Sequence, residues 1–326
     1  MYRNHAGSLA RLIGAVEEAA GSGPAKTWIG RSCPPHCAAM SSASNLKVTR
    51  TSTVTPDQID ELGHMNVRWY GHNAVEATKT LCSELGLGDP TLLNTYTRHH
   101  HEQLEGTNLE VRSALLGGAS RLRFYHELRN QADDDLAATF IHELDEPGLE
   151  APTTELPDYA LPRSINLDTD GLAAAPSLSE ARSRNLQIRL ERDVTTEDTL
   201  DDDTVPPWLA NNLIWGGERP DGDSDWIQTL PNGEQMAFAT MESRLWVGEL
   251  PRRGTRVQSF GAVIGLTDKI LHDIAWSYDV ESGKVLAVFE SVDLAFNMAR
   301  RRSMVMPDDI RARHAARLQL DLAPKL

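Results

Sequence analysis

Apolar and polar residues alternate along several stretches of the 326-residue chain, and the period of that alternation changes from place to place. LKVTRTSTV, starting at Leu46, reads as a strand. From Val67 the spacing lengthens: Val67, Tyr70, Ala74, Ala77, Leu81 and Leu85 recur every three or four residues, which predicts a helix with one buried stripe. Gly86, Gly88 and Pro90 end it. Three runs of period two follow: Leu109, Val111 and Leu115; Leu122, Phe124, His126 and Leu128; Leu136, Ala138, Phe140 and Leu144. They predict an antiparallel meander with one packed face. After a stretch rich in Pro, Ser and acidic residues the order comes round again. NLQIRLERDV reads as a strand, and TTEDTLDDDTVPPWLANNLIWGG stands where the helix entry stood. MAFATMESRLWV, TRVQSFGAVIG, DKILHDIAWSYDV and KVLAVFESVDLAF read as four further strands. The offset is about 140–146 residues, with Val54 matching Val194, and Val111 and Ser113 matching Val257 and Ser259. One α+β unit is duplicated. PDDIRARHAARL reads as a closing helix with Pro307 at its first turn.

These patterns divide the chain into an extension (1–45), a first unit (46–146), a linker with at most one short helix (147–186) and a second unit with the closing helix (187–326). The extension reads as disordered, with Met40 an alternative start, and lacks the charged and apolar regions of a secretory signal. A net charge of −15 speaks against non-specific nucleic-acid binding and against a hold on anionic lipid. No apolar run has the length of a membrane span. Three cysteines make no disulfide framework, which points to a cytoplasmic protein; Cys33 and Cys37 flank His36 without a second cluster to complete a metal site.

DQIDELGHMNVRWY, ahead of the first helix, holds more small polar residues than a cap needs. Asp60, Gly63, His64, Met65, Asn66 and Tyr70, together with the strand trio RHHHEQLEGTNLEV, SRLRFYHELRN and LAATFIHEL, resemble the hotdog-fold acyl-CoA thioesterases. The spelling is closest to the 4-hydroxybenzoyl-CoA thioesterase and thioesterase-like branch, and the duplication resembles its tandem members. The resemblance covers both halves and is more specific in the first. It implies an α+β double hotdog, with two antiparallel sheets each wrapping a central helix and substrate in the groove between the halves. It also implies hydrolysis of acyl-CoA or acyl carrier protein thioesters without a metal or redox cofactor, CoA being part of the substrate, and a homodimer of such chains.

The residues suit that chemistry on their own terms. A thioester carbonyl needs an oxygen nucleophile and positive potential at its oxygen. Asp60 reads as nucleophile or base, or as a loop acid. Main-chain N–H groups at Gly63, His64 and Met65 lie at a helix start, where such donors point outward, and Gly63 lets a substrate come close. His64 reads either as a side-chain donor or as a loop residue, and Asn66 as the N-cap or as a group orienting Asp60. Tyr70 reads as a wall of the acyl pocket or as core. Glu102 reads as a groove residue or an exposed acid. His99, His100 and His101 alternate faces, which disfavours a metal. In the second half Leu200 stands at the position of Asp60, or with gaps Asp201, Asp202 or Asp203 does; no Gly-His follows any of them, and Pro206 and Pro207 lack N–H groups. One working site per chain is therefore expected, walled by the second half, with Trp208, Trp215 and Trp246 as wall or core. Arg121 and Arg123 are candidates for substrate phosphates, as are Arg252, Arg253 and the run Arg300 to Arg302. Two rivals are a hotdog hydratase, whose G-D-x-N-P-x-H motif is missing, and a non-catalytic acyl-CoA binder, against which the retained Asp60, Gly63 and His64 argue.

Overall fold

The computed structural model describes residues 46–60, 63–117, 119–149, 156–184, 186–200, 202–216 and 227–325. The expectations for the N-terminal extension, with Cys33, His36, Cys37 and Met40, lie outside the described residues. The first half runs β1 (Lys47–Thr53), α1 (Val67–Glu84), β2 (Leu92–His99), β3 (Asn108–Leu116), β4 (Arg121–Asn130) and β5 (Leu136–Pro147). A crossing segment carries α2 (Leu178–Ser183). The second half runs β6 (Gln187–Asp193), α3 (Asn212–Trp215), β7 (Ile227–Thr229), β8 (Gln235–Val247) and β9 (Arg256–Leu266), then β10 (Ile270–Asp279), β11 (Val285–Asn297), β12 (Arg302–Ser303) and α4 (Asp308–Ala315).

The strands form one sheet rather than the two expected. Its order is β1-β3-β4-β5-β2-β8-β11-β10-β9-β6, with β12 on β11 and β7 on β8. The reason is that β2 and β8 are each the last strand of their own half. An edge strand leaves a row of unpaired N–H and C=O groups, and joining the two edges satisfies both rows. The join is antiparallel, with Asn94 opposite Trp246, Tyr96 opposite Arg244 and Arg98 opposite Glu242.

The alternation read from sequence sorts the two faces of the first half. Leu109, Val111, Leu128, Ala138 and Phe140 pack against Tyr70, Ala74 and Ala77 of α1. Leu122, Phe124 and Leu144 pack against Val75, Leu81 and Cys82 farther along it. The two alanines are fully buried, and their small side chains let the helix sit close to the sheet. The second half has no counterpart to this long helix, contrary to expectation. Its α3 has four residues against eighteen in α1. Asn66 caps α1 by accepting from the Arg68 N–H, whereas the matching start is Pro206 with no side-chain cap and Pro207 behind it. Where α3 stops, α4 takes over the cover: Ile310 and Met306 pack on Val263, Leu271 and Ala295.

The opposite face is covered by residues 156–184, which lie across both halves. Ala160 and Ile165 pack on Tyr96, Tyr125, Ile141 and Val292, and Leu178 and Ala181 pack on Trp246, Phe260 and Trp276. Gly171 rests on the Trp246 ring so closely that a Cβ there would come within 2.7 Å of it. Polar groups of the two joining strands hold this segment down. Arg98 donates to the Tyr159 and Leu161 carbonyls, and Arg244 to the Asn166 carbonyl. The buried Glu242 carboxylate accepts main-chain N–H groups from Arg163, Ser164 and Ile165, at 3.1, 3.2 and 3.0 Å. A Glu242→Ala variant strands these donors and should lose about 2 kcal/mol of stability, since an unmet buried donor costs about 1–3 kcal/mol. Urea unfolding checks this, and an unchanged midpoint would show that water replaces the carboxylate.

Candidate active site

β1 leads into the motif through a fixed frame. The Val54 N–H donates to the Thr107 carbonyl and the Gly106 N–H to the Val54 carbonyl, each at 2.9 Å. Ile59 and Met65 then bridge across a tight hairpin, in which the Asp60 N–H donates to the His64 carbonyl at 2.8 Å and the Gly63 N–H to the Asp60 carbonyl at 3.0 Å. Gly63 has φ +84°, a conformation that side chains resist, and nothing lies within 4 Å of where its Cβ would be. Met65 is buried in the first-half core and anchors the hairpin, so that Asp60 and His64 stand together above it.

Asp60 Oδ1 accepts the His64 main-chain N–H at 3.2 Å. The His64 ring reaches Glu102, with Nε2 at 3.2 Å from Oε2. Glu102 lies in the loop after β2 rather than in a strand, and it pairs with Arg301 from the end of the second half. Arg301 is held at φ +51°, a left-handed conformation uncommon outside glycine. The Tyr70 hydroxyl accepts the Gln103 N–H at 3.0 Å and contacts the His101 carbonyl at 3.4 Å. Burial, with Glu102 and Asp60 nearby, pushes its pKa up, so it stays a neutral phenol.

Thus Asp60, His64, Glu102 and Tyr70 come together as the sequence suggested, and Arg301 joins them from the other half. The main-chain cradle does not open as expected. The N–H of Gly63 is spent on Asp60 O, that of His64 on Asp60 Oδ1, and that of Met65 on the Gln103 carbonyl at 2.8 Å. Asn66 is the N-cap. Arg121 and Arg123 are not in the site. Leu122 and Phe124 face α1, so these arginines point to the other side, at the end of β4 away from the motif, where they pair with Asp145 and Glu143. Arg253 pairs with Asp203 and Arg300 with Glu234. Trp246 lies under the crossing segment, and Trp208 stacks on Trp69 and His72. His99, His100 and His101 meet three different neighbours, namely Tyr70, Tyr159 and Asp135.

The second half repeats the main-chain frame of the motif with different side chains. The Leu200 N–H donates to Thr204, the Asp203 N–H to Leu200 and the Val205 N–H to Pro251, matching the bonds of Asp60, Gly63 and Met65. Leu200, Thr204 and Leu250 therefore occupy the positions of Asp60, His64 and Glu102. Asp203 takes the left-handed position of Gly63, at φ +61°. The strand match needs one correction. Thr53 faces Asn108, and Asp193 faces Arg256, so Val111 matches Ser259 rather than Val257. That slip of two keeps every side chain on its face.

Two cavities open on the inner face where the halves join, of about 90 and about 280 Å³. The smaller is lined by Gly71, Thr95, Thr97 and His99 of the first half and by Ser243 and Phe289 of the second. The larger includes Leu200, Thr204 and Leu250, so the emptied motif of the second half has become a wall. Both share Val75, Leu92, His142, Pro207 and Trp208. His142 was missed from sequence, although period two places it between Phe140 and Leu144 on the inner face. It is the end of a buried polar chain. Thr78 Oγ1 lies 2.7 Å from His142 Nδ1 and 2.9 Å from His126 Nε2, and Ser113 Oγ lies 2.7 Å from His126 Nδ1.

Burial lowers the pKa of His126 well below the usual imidazole value and that of His142 to about 3. Unfolded, both titrate near 6.5. Below that pH the unfolded chain takes up protons that the folded chain does not. Their contribution is therefore full above about pH 6.5 and is lost as the pH falls, at about 1.4 kcal/mol per unit for each ring. Of the stability that urea unfolding shows lost between about pH 7 and about pH 5, these two rings should supply about 2–4 kcal/mol, beside the share of His99 and His100, whose pKa burial lowers to about 4 and about 3. A flat profile would mean that both rings already bind protons in the fold.

No protein-family model matches this sequence, and no curated protein does. Solved structures do match. An acyl-ACP thioesterase from Bacteroides thetaiotaomicron superposes with a TM-score of 0.53 at 9% identity, over 77% of this chain and 98% of that one. The 12:0-ACP thioesterase from Umbellularia californica does so with a TM-score of 0.51 at 11% identity, over 77% and 94%. At such identities the likeness is one of fold.

Proposed function

We propose that the chain hydrolyses acyl thioesters to a free acid and a thiol. One observation carries this reading: a carboxylate, an imidazole and a second, ion-paired carboxylate meet at the start of α1, beside the junction of the halves, and the second half lacks all three. The shared fold of two acyl-ACP thioesterases supports it, as does the motif's resemblance to the 4-hydroxybenzoyl-CoA thioesterase branch.

In this reading Asp60 takes a proton from water as the water oxygen attacks the carbonyl carbon, or attacks that carbon itself to form an acyl intermediate that water then opens. The C–S bond breaks, and the departing sulfur takes a proton. Neither course needs a metal or redox cofactor. The His64 N–H, held on Asp60, steadies the carboxylate and is released toward substrate as that charge is consumed. The Arg301 guanidinium supplies positive potential at the carbonyl oxygen, and the His64 ring, fixed by Glu102, walls the site beside it. The substrate is an acyl group on CoA or on an acyl carrier protein, with its chain directed into the cavities along α1.

Asp60→Asn should lower kcat for thiol release by at least about 10²-fold while the folded protein still holds an acyl thioester, as expected when a positioned base or nucleophile is lost. Thiol release is followed over a panel of acyl-CoA and acyl carrier protein thioesters. Turnover unaffected by the substitution would remove Asp60 from the chemistry, and binding without turnover in the unaltered protein would make the chain a carrier.

A further inference from the structure

The hydroxyls and imidazoles behind the cavities form one line: Thr49, Ser113, His126, Thr78, His142. Each hydroxyl has one proton to give, so the direction of one bond fixes the next. Thr49 Oγ1 donates to the Val111 carbonyl at 3.2 Å. It must then accept from Ser113, 2.7 Å away. Ser113 has given its proton and so accepts from His126 Nδ1 at 2.7 Å. A neutral His126 leaves Nε2 to accept from Thr78 at 2.9 Å, and Thr78 then accepts from His142 Nδ1 at 2.7 Å. The reverse direction loses the bond to Val111, so this arrangement satisfies more groups. Its consequence is local: His142 Nε2, which has no hydrogen bond among the described residues, carries a bare lone pair where the ring lines both cavities. Directly across the β2–β5 ladder stands Thr95, whose hydroxyl oxygen is buried without a partner among the described residues and whose side chain lines the smaller cavity. An acceptor and a hydroxyl therefore sit side by side on a wall that includes Val75, Leu92 and Trp208, with Thr97, Thr240 and Ser243 farther round the smaller cavity.

We propose that these cavities select an acyl chain bearing a hydroxyl group away from the thioester, which donates to His142 Nε2 and accepts from Thr95 Oγ1. The proposal rests on the hydrolytic reading above and names its substrate class. A purely hydrocarbon chain would leave both protein groups unmet in the bound state, and a site built for a hydroxyl rejects the analogue that lacks it.

The test compares decanoyl-CoA with its monohydroxy isomers, each hydroxylated at a different carbon, by thiol release. At least one isomer should exceed the parent about tenfold in kcat/KM, the effect of one net hydrogen bond. Thr95→Val, which removes a hydroxyl that bonds to nothing among the described residues, should bring that ratio toward one, and so should His142→Phe if the variant folds. A parallel measurement needs no turnover: calorimetric binding of the matching free acids to the Asp60→Asn protein, where the same hydroxy acid should again be preferred. Every isomer turned over no better than decanoyl-CoA, with no preference in binding, would overturn the proposal while leaving hydrolysis standing. Absent thiol release with the binding preference intact would overturn hydrolysis and leave the hydroxyl site. A preference that survives Thr95→Val unchanged would count against the assigned pair.

Discussion

The pairing of β2 with β8 is the constraint on which the rest of the molecule depends. It turns two half-sheets with open edges into one sheet, and so sets the distance and angle between the halves. Both faces of these two strands are then put to use. On one face Arg98, Glu242 and Arg244 satisfy the backbone of the crossing segment. On the other, Thr95, Thr97 and Ser243 line the space between α1 and the second half. The same join carries the end of β11 close enough to the motif for Arg301 to pair with Glu102.

The two halves share a main-chain frame and differ in the side chains set on it. Main-chain bonds around Leu200 to Val205 repeat those around Asp60 to Met65, because they close a hairpin that the fold needs in both places. The side chains are free to diverge. Leucine and threonine at three positions remove every charge, and two prolines and a missing cap shorten the helix to one turn. Leu200, Thr204 and Leu250, which stand where the first half has Asp60, His64 and Glu102, line the larger cavity.

The buried histidines add a second asymmetry. Register places Ala275 and Ser291 in the second half where His126 and His142 stand in the first. Two neutral imidazoles inside an apolar core are tolerated because each bonds to hydroxyls on neighbouring elements. The chain of bonds also orders β3, β4, β5 and α1 relative to each other, so the polar line is part of the core and of the cavity wall together.

Local chemistry made much of this readable in advance. The period-two runs identified the strands and their inner faces, the three-and-four spacing identified α1, and the motif marked the helix start where Asp60, His64 and Tyr70 gather. Asn66 as cap and Leu200 as the counterpart of Asp60 are each one of two sequence readings, and the main-chain bonds of the folded hairpins decide for them. What sequence could not supply were relations between distant segments. The join of β2 to β8 and the pairing of Arg301 with Glu102 are set by how edges meet after folding, whereas the far face of Arg121 and Arg123 was already implied by the inward period of Leu122 and Phe124. The use of the motif's N–H groups also lay beyond it, since those donors find partners in a hairpin and in Gln103 that only the folded chain brings near. Side-chain period records which face a residue takes, whereas pairing between elements is a property of the whole chain's geometry and leaves no mark in the letters.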